Sequence, residues 1–310
     1  MKIITDRDLA DVPIQVAIAA IKEFFAAAAN GHVVTPPRHT FRAGDGGLTF
    51  TIGAELETSK TVGFRVYDTY PGRSGTDTDQ IIAVYSTEKS QLKGLVISSK
   101  LGAMRTAAIN GLATSLLAKP AVETVCLIGA GFHAYYQMQA ILAVRSPRKV
   151  IVCNRTPARA EALIEKLAIE YDIEFVLSKN VEQSVREADI VMCATSSSSP
   201  VLESSWLKSD AYISSIGPKF KDRHELPLDI AAGASILVTD APQQLTSYPA
   251  QYFLDDVSII TPLENVSSRP DKKGYAVFLS SGRSGTEVIV ADRIINYLAE
   301  QTAKLGANNQ

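Results

Sequence analysis

Thr124–Ala134, TVCLIGAGFHA, leaves the chain little choice of architecture. Val125–Gly129 is mostly apolar and reads as a buried parallel strand, and it runs directly into Gly129-Ala130-Gly131-Phe132-His133-Ala134. That is G-x-G-x-x-A, the turn that hands a strand over to a helix in dinucleotide-binding βαβ units. Gly129 suits the tight turn, and Gly131 has no Cβ to block a pyrophosphate approaching the backbone. Ala134 lets the helix lie close on the strand. Free N–H groups at the helix start, with its dipole, then face the phosphates. The context fits on both sides, since Ala134, Met138, Ile141 and Leu142 predict a helix over 132–144. All six residues of the turn are cofactor-binding candidates.

From Ala121 onward strands and helices alternate. Strands are expected at 124–129, 149–154, 174–177, 189–194, 211–216 and 235–239, and helices at 132–144, 157–171 and 181–188. Such alternation requires right-handed crossovers and a parallel sheet covered on both faces, with the ligand beyond the carboxyl ends of the strands. The expected fold class is therefore α/β, a Rossmann-type doubly wound parallel sheet over 121–285 joined to a smaller mixed α+β domain over 1–120. In the smaller domain, Lys2–Thr5, Leu48–Gly53, Thr61–Tyr67, Gln80–Ser86 and Leu95–Ser98 read as strands, and Arg42–Gly47 as a turn-rich loop. Asp6 or Asp8 is expected to cap a helix continuing to Ala29, and Met104–Ala118 to form a helix hinging the two domains. Thr286–Leu305 is amphipathic, and the C-terminal helix, about 286–310, is expected to return to the first domain. Asp255–Asn265 carries no clear pattern.

Composition excludes several classes of function. A net charge of −2 gives no electrostatic reason to expect nucleic acid or an anionic membrane as partner. The three cysteines, Cys126, Cys153 and Cys193, each fall inside an expected strand and read as small buried hydrophobes, and the four histidines show no ligand spacing, so no metal is expected. No apolar run approaches the roughly 18 residues of a membrane span, and acids stand where a signal peptide would be apolar. A cytoplasmic protein is expected.

The second strand of an NAD-binding unit usually ends in Asp or Glu, which takes the ribose hydroxyls. Here it ends Cys153-Asn154-Arg155-Thr156, with no acid. Asn154 and Thr156 can hydrogen-bond a 2′-phosphate, Arg155 can neutralise it while stacking on adenine, and Arg159 stands one turn on. The alternative for Arg155 is a solvated loop cation. The expected cofactor is NADP(H) in preference to NAD(H), with NAD(H) possible.

With Arg105-Thr106-Ala107-Ala108 heading a helix just before GAGFHA, the sequence resembles the ornithine cyclodeaminase/μ-crystallin family. Supporting pieces are Pro36–Arg38, Gly63–Arg65, Ala194-Thr195-Ser196, Gly217 through Glu225-Leu226, and Phe278–Gly282, and together they span nearly the whole chain. The resemblance implies an N-terminal substrate-binding and dimerisation domain, a Rossmann domain with Thr195 and Ser196 among its cofactor contacts, and a homodimer. It places the substrate-carboxylate arginine on Arg105 and a second pocket arginine on Arg38. A planar guanidinium suits that grip. A cation at a helix N-terminus opposes the dipole, so Arg105 reads as kept for function.

The departures from the family pattern carry as much. Its pocket lysine after G-F is Arg65, still cationic but no ready base. Its M-P-A is replaced near Thr51-Ile52-Gly53, and its D-G around Ile97-Ser98. The aspartate to which the resemblance assigns cyclisation is replaced by Lys219, in Gly217-Pro218-Lys219, and Glu287 keeps an acid near the start of the last helix. Lys219 reads as a proton donor to an imine, a grip on a second acidic group, or a solvated loop lysine. The expected function is NAD(P)-dependent oxidoreduction at the C–N bond of a small α-imino or amino acid, with Arg105, Arg65 and Lys219 as catalytic candidates and Arg38, Arg65 and Arg105 as substrate-binding ones. Ornithine cyclodeamination is one alternative. A non-catalytic μ-crystallin-like NADPH- and small-ligand-binding protein is another. Substrate choice is expected from loops at Arg42–Gly47, Pro71–Gln80 and Lys219–His224.

Overall fold

A computed structural model describes residues 2–70, 79–247 and 250–308. The chain forms two compact units, one of residues 1–108 with 283–310 and one of residues 109–282. The boundary between them falls inside a helix over Leu101–Leu117.

Unit 1 contains β1 (Lys2–Thr5), α1 (Ile14–Ala29), β2 (Val33–Val34), β3 (His39–Ala43), β4 (Gly46–Glu55), β5 (Thr61–Asp68), β6 (Ile81–Ser86), β7 (Leu92–Ile97) and the start of α2 (Leu101–Leu117). Among the described residues its sheet runs β1-β7-β6-β5-β4-β2, with β3 also on β4, and only the β1–β7 pair is parallel. Arg42–Gly47 is the tip of the β3–β4 hairpin rather than an open loop. Most of Pro71–Gln80 lies outside the described residues.

The helix-cap assignment is corrected. Asp8 accepts the Thr5 N–H at 2.8 Å, and Asp6 accepts from Ser98 and Ser99 and from the Lys100 N–H at 3.2 Å. The Ser98 hydroxyl oxygen accepts the Lys100 and Leu101 N–H groups at 3.0 Å, so the Asp6–Ser98 pair caps α2 instead. α1 begins on Pro13, whose fixed φ of −61° sets its start without a side-chain cap.

Alternation along the strands divides the sheet into two faces. Thr49, Thr51, Gly63 and Arg65 are buried, on strands that contact α7 (Thr286–Asn308), which also lies on α1. The opposite face carries Leu48, Ile52, Ile81 and Ile3, all exposed, with Ile3 at 55% and Ile52 at 47%.

Unit 2 contains β8 (Thr124–Ile128), α3 (Phe132–Leu142), β9 (Lys149–Cys153), α4 (Pro157–Glu170), β10 (Glu174–Ser178), α5 (Val181–Glu187), β11 (Ile190–Cys193), β12 (Tyr212–Ser215), β13 (Lys219–Phe220), β14 (Arg223–His224), β15 (Ala234–Thr239), α6 (Gln244–Ser247), β16 (Ile260–Pro262) and β17 (Tyr275–Leu279). The sheet order is β10-β9-β8-β11-β12-β17-β15-β16, all parallel. Its first five strands follow the Rossmann order 3-2-1-4-5, which reverses between β8 and β11 and opens the ligand crevice there. β17 enters between β12 and β15. The apolar run Tyr275–Leu279, buried throughout, is a central strand that the regular alternation does not announce. The carbonyls at the end of α2 are taken up by Arg145, which donates to the Thr114, Ser115, Ala118 and Lys119 oxygens at 2.7–3.1 Å, a cation set against the negative end of the helix.

Candidate functional site

In unit 2 the glycine turn sits at the carboxyl end of β8. Gly129 has φ +106°, and a Cβ there would stand 2.3 Å from the Ala194 carbonyl oxygen, so both conformation and space require glycine. Its N–H donates to the Cys153 oxygen at 2.8 Å, fixing the turn to the end of β9. Gly131 differs, because a Cβ there would meet nothing within 4 Å. What glycine keeps clear at that point is space outside the protein, beside the uncapped N-terminus of α3. That is the cradle a pyrophosphate requires, and the turn fits a nicotinamide dinucleotide.

A cleft of about 750 Å³ opens from the turn, lined by Gly129, Ala130, Gly131, Asn154, Arg155, Thr156, Arg159, Thr195 and Ser196 among others. The side chains of Phe132, His133 and Ala134 do not line it. Ala134 is buried against the sheet, and the Phe132 ring stands edge-on to His133 and Tyr136, each at 5.6 Å. The first turn of α3 therefore offers backbone N–H groups rather than side chains. Asn154 is also committed elsewhere. Its Oδ1 accepts the Ala130 N–H at 3.2 Å and its Nδ2 donates to the Thr156 oxygen at 2.8 Å, so it braces the turn instead of reaching for a phosphate. Arg155, Thr156 and Arg159 are exposed along the cleft.

Thr195, after β11, donates its N–H (3.0 Å) and hydroxyl (2.7 Å) to Glu225, which also accepts from Ser215 (2.7 Å) and the Gly217 N–H (2.5 Å). Glu225 is fully buried and ties together the loops that follow β11 and β12. Nothing in Glu225-Leu226 as a sequence distinguishes a buried clamp from a surface acid. Lys219 is likewise no loop lysine, since it is 6% exposed and its Nζ donates to the Gly217 oxygen at 2.8 Å.

In unit 1, Arg105 is not a surface residue at a helix start. It is 5% exposed on α2 and pairs with Glu287 Oε1, which Arg65 Nη1 also reaches, at 2.6 Å. Arg65 is held further by Gln80 Oε1, at 3.1 Å from Nε and 2.5 Å from Nη2, and lies over the Tyr67 ring at 4.3 Å. Burial alone would push the Glu287 carboxyl up, but Arg105, then Arg65, and further out Arg38, hold it down to about 2. Two guanidiniums, from β5 and α2, thus converge on one carboxylate and a third, Arg38 in the segment after β2, adds its charge, leaving two positive charges over. Such a cluster takes carboxylate anions in bidentate geometry. Arg65 is accordingly a guanidinium locked in a network, not a base. Gln80 carried no signal in the sequence.

Among the described residues no three His, Cys, Asp or Glu are placed to hold a metal ion, and no helix is long and apolar enough to cross a membrane. All three cysteines are free and buried.

A parallel sheet in this order, with a glycine turn at its switch point, defines a nicotinamide-dinucleotide-binding Rossmann protein. The chain belongs to the ornithine cyclodeaminase/mu-crystallin family, whose profile matches residues 10–299. It is 26% identical over 314 residues to the Δ1-pyrroline-2-carboxylate reductase of Bacillus cereus, covering 96% of this chain and 94% of that one. It is 25% identical over 280 residues to the ketimine reductase mu-crystallin of Macropus fuliginosus, covering 86% of each. Its fold matches that of the Thermococcus litoralis Δ1-pyrroline-2-carboxylate reductase solved with NADH and L-proline, at a TM-score of 0.87 and 22% identity over 97% of this chain and 98% of that one.

Proposed function

We propose that the protein is an NAD(P)H-dependent reductase of the C=N bond of a small α-imino acid, with amino-acid oxidation as the reverse reaction. The observation that carries this reading is the buried pairing of Arg65 and Arg105 with the single carboxylate of Glu287, on which the half-buried Arg38 also acts by charge. Its two surplus positive charges suit an α-carboxylate, and Arg105 serves as the principal anchor. The cofactor, held at Gly129–Gly131, supplies the hydride. Relatives named as reducing pyrroline carboxylate and ketimines support the imine as the reacting group.

NADPH is the preferred cofactor on this reading. No acid ends β9, and Arg155, Thr156 and Arg159 lie open along the cleft. Lys219, in place of the aspartate of cyclodeaminases, speaks against release of proline from ornithine. The exposed apolar face of Ile3, Leu48, Ile52 and Ile81 supports a homodimer formed through that sheet, and Ile52→Asp should shift the light-scattering mass toward a monomer.

The central experiment follows NADPH and NADH consumption by the purified protein with Δ1-pyrroline-2-carboxylate, Δ1-piperideine-2-carboxylate, and α-keto acids with ammonia. Turnover of at least one imine is expected. Cofactor binding without consumption across the panel would instead establish a binding protein.

A further inference from the structure

The loop after β12 holds a second cleft, about 170 Å³, lined by Lys219, Tyr252, Gln244, Ser280 and Ser281 among others. It lies at the carboxyl end of the sheet, and Glu225 joins its loop to Thr195 of the cofactor cleft. Two further observations mark it as a ligand site. The Tyr252 hydroxyl is buried yet has no hydrogen-bond partner in the protein. Lys219, buried beside it, has its Nζ on a single carbonyl.

Charge decides what such a cleft accepts. Glu225 takes four donated hydrogen bonds, and both Asp240 oxygens take backbone N–H groups, from Ser281 at 2.7 Å and Gly282 at 2.9 Å. The carboxyl groups of Glu225 and Asp240 both act on the one Lys219 ammonium, which leaves little to attract a second acidic group of a substrate. A neutral nitrogen that needs a proton suits the cleft.

Building on the imine-reductase reading, we propose that Lys219 is the proton donor to the nitrogen of the C=N bond. As hydride reaches the imine carbon, the C=N π pair moves onto nitrogen and takes the proton from the Lys219 ammonium. The lysine is left as a neutral amine, which solvent reprotonates; the reductant oxidised in the same step is the nicotinamide dinucleotide. Burial pushes the ammonium down to about 8, against the opposing pull of Glu225, Asp240 and Cys193, so it gives up a proton more readily than an ordinary lysine.

The test combines pH profiles and variants. In the wild type, kcat/KM for NADPH-dependent reduction of Δ1-pyrroline-2-carboxylate should fall above about pH 8. Lys219→Arg keeps the charge but cannot donate near neutrality, and it should lose about 100-fold in kcat with cofactor affinity and melting temperature unchanged. Lys219→Ala should be partly rescued by methylamine. In cofactor-free wild type, competitive acetylation read by mass spectrometry should show Lys219 titrating near 8. Near-native turnover in Lys219→Arg, an alkaline limb that persists in that variant, or an ordinary lysine midpoint would overturn the proposal. Failure of the wild type to reduce any imine would instead sink the functional reading, and this proposal with it.

Discussion

The two units build their binding sites from opposite materials. The candidate site of unit 2 is made of backbone: a turn forced by Gly129, a gap left by Gly131 and the uncapped end of α3. The candidate site of unit 1 is made of side chains, from positions as far apart as Arg65 and Glu287. A backbone site costs little when one contact is lost, because each N–H contributes a fraction of the whole. A buried ionic site does not degrade so gently. Removing one charge strands the others in low dielectric.

The largest effect is expected from Glu287→Gln. The buried arginines would lose their carboxylate, and urea unfolding should show a loss of about 3–5 kcal/mol, with cofactor affinity unchanged. The same carboxyl gives a pH test. Its folded value, about 2, lies below the unfolded 4.5, so its stabilisation is complete above about 4.5 and is lost as pH falls through about 2. An acid titration in Glu287→Gln should lack that component.

Next in size is Arg105→Ala. Loss of the anchor should lower kcat/KM by about 100- to 1,000-fold, roughly 3–4 kcal/mol in the barrier, while NADPH affinity stays within error. Arg105→Lys should remain impaired, because the charge survives but the fork does not. If cofactor binding fails instead, the division of labour between the units is wrong.

Arg155→Ala should remove most of the preference for NADPH over NADH, about 1.5–3 kcal/mol, with no change in stability. Fluorescence titration of both cofactors decides it, and equal affinities in the wild type would remove its premise.

The smallest effect refines the backbone side. Gly131→Ala should fold normally, since its methyl group meets no protein atom, yet bind cofactor about tenfold more weakly, roughly 1.4 kcal/mol. Gly129→Ala, two residues away, should lose stability as well, because its Cβ collides with Ala194. Calorimetry beside a cofactor titration separates the two.

The same contrast explains what the sequence disclosed. The turn, β8 and the βαβ alternation follow from rules spanning a dozen residues, so strand ends fell within a residue or two of those observed. Helix caps failed where the partner was remote, as with Asp6, which serves α2 from 94 residues away. β17 was missed because it enters the middle of the sheet out of sequence order. At the sites, Arg105 was legible only through a family resemblance. Glu225 was legible only as part of a family piece, and Gln80 and Tyr252 not at all, since a buried polar side chain looks like a surface one until the fold gives it neighbours. Lys219 was visible as a substitution, but its burial was not.

The return of α7 to unit 1 sets an order of events during synthesis. Glu287 follows Arg105 by 182 residues, which at roughly 5–20 residues per second is a wait of about 10–40 s. Unit 2 is contiguous from Ile109 to Gly282 and can close its sheet on the ribosome while the earlier segment still lacks its last helix. The half that emerges first is thus the half that finishes last, and during that interval its apolar strands are the part of the nascent chain most in need of a chaperone.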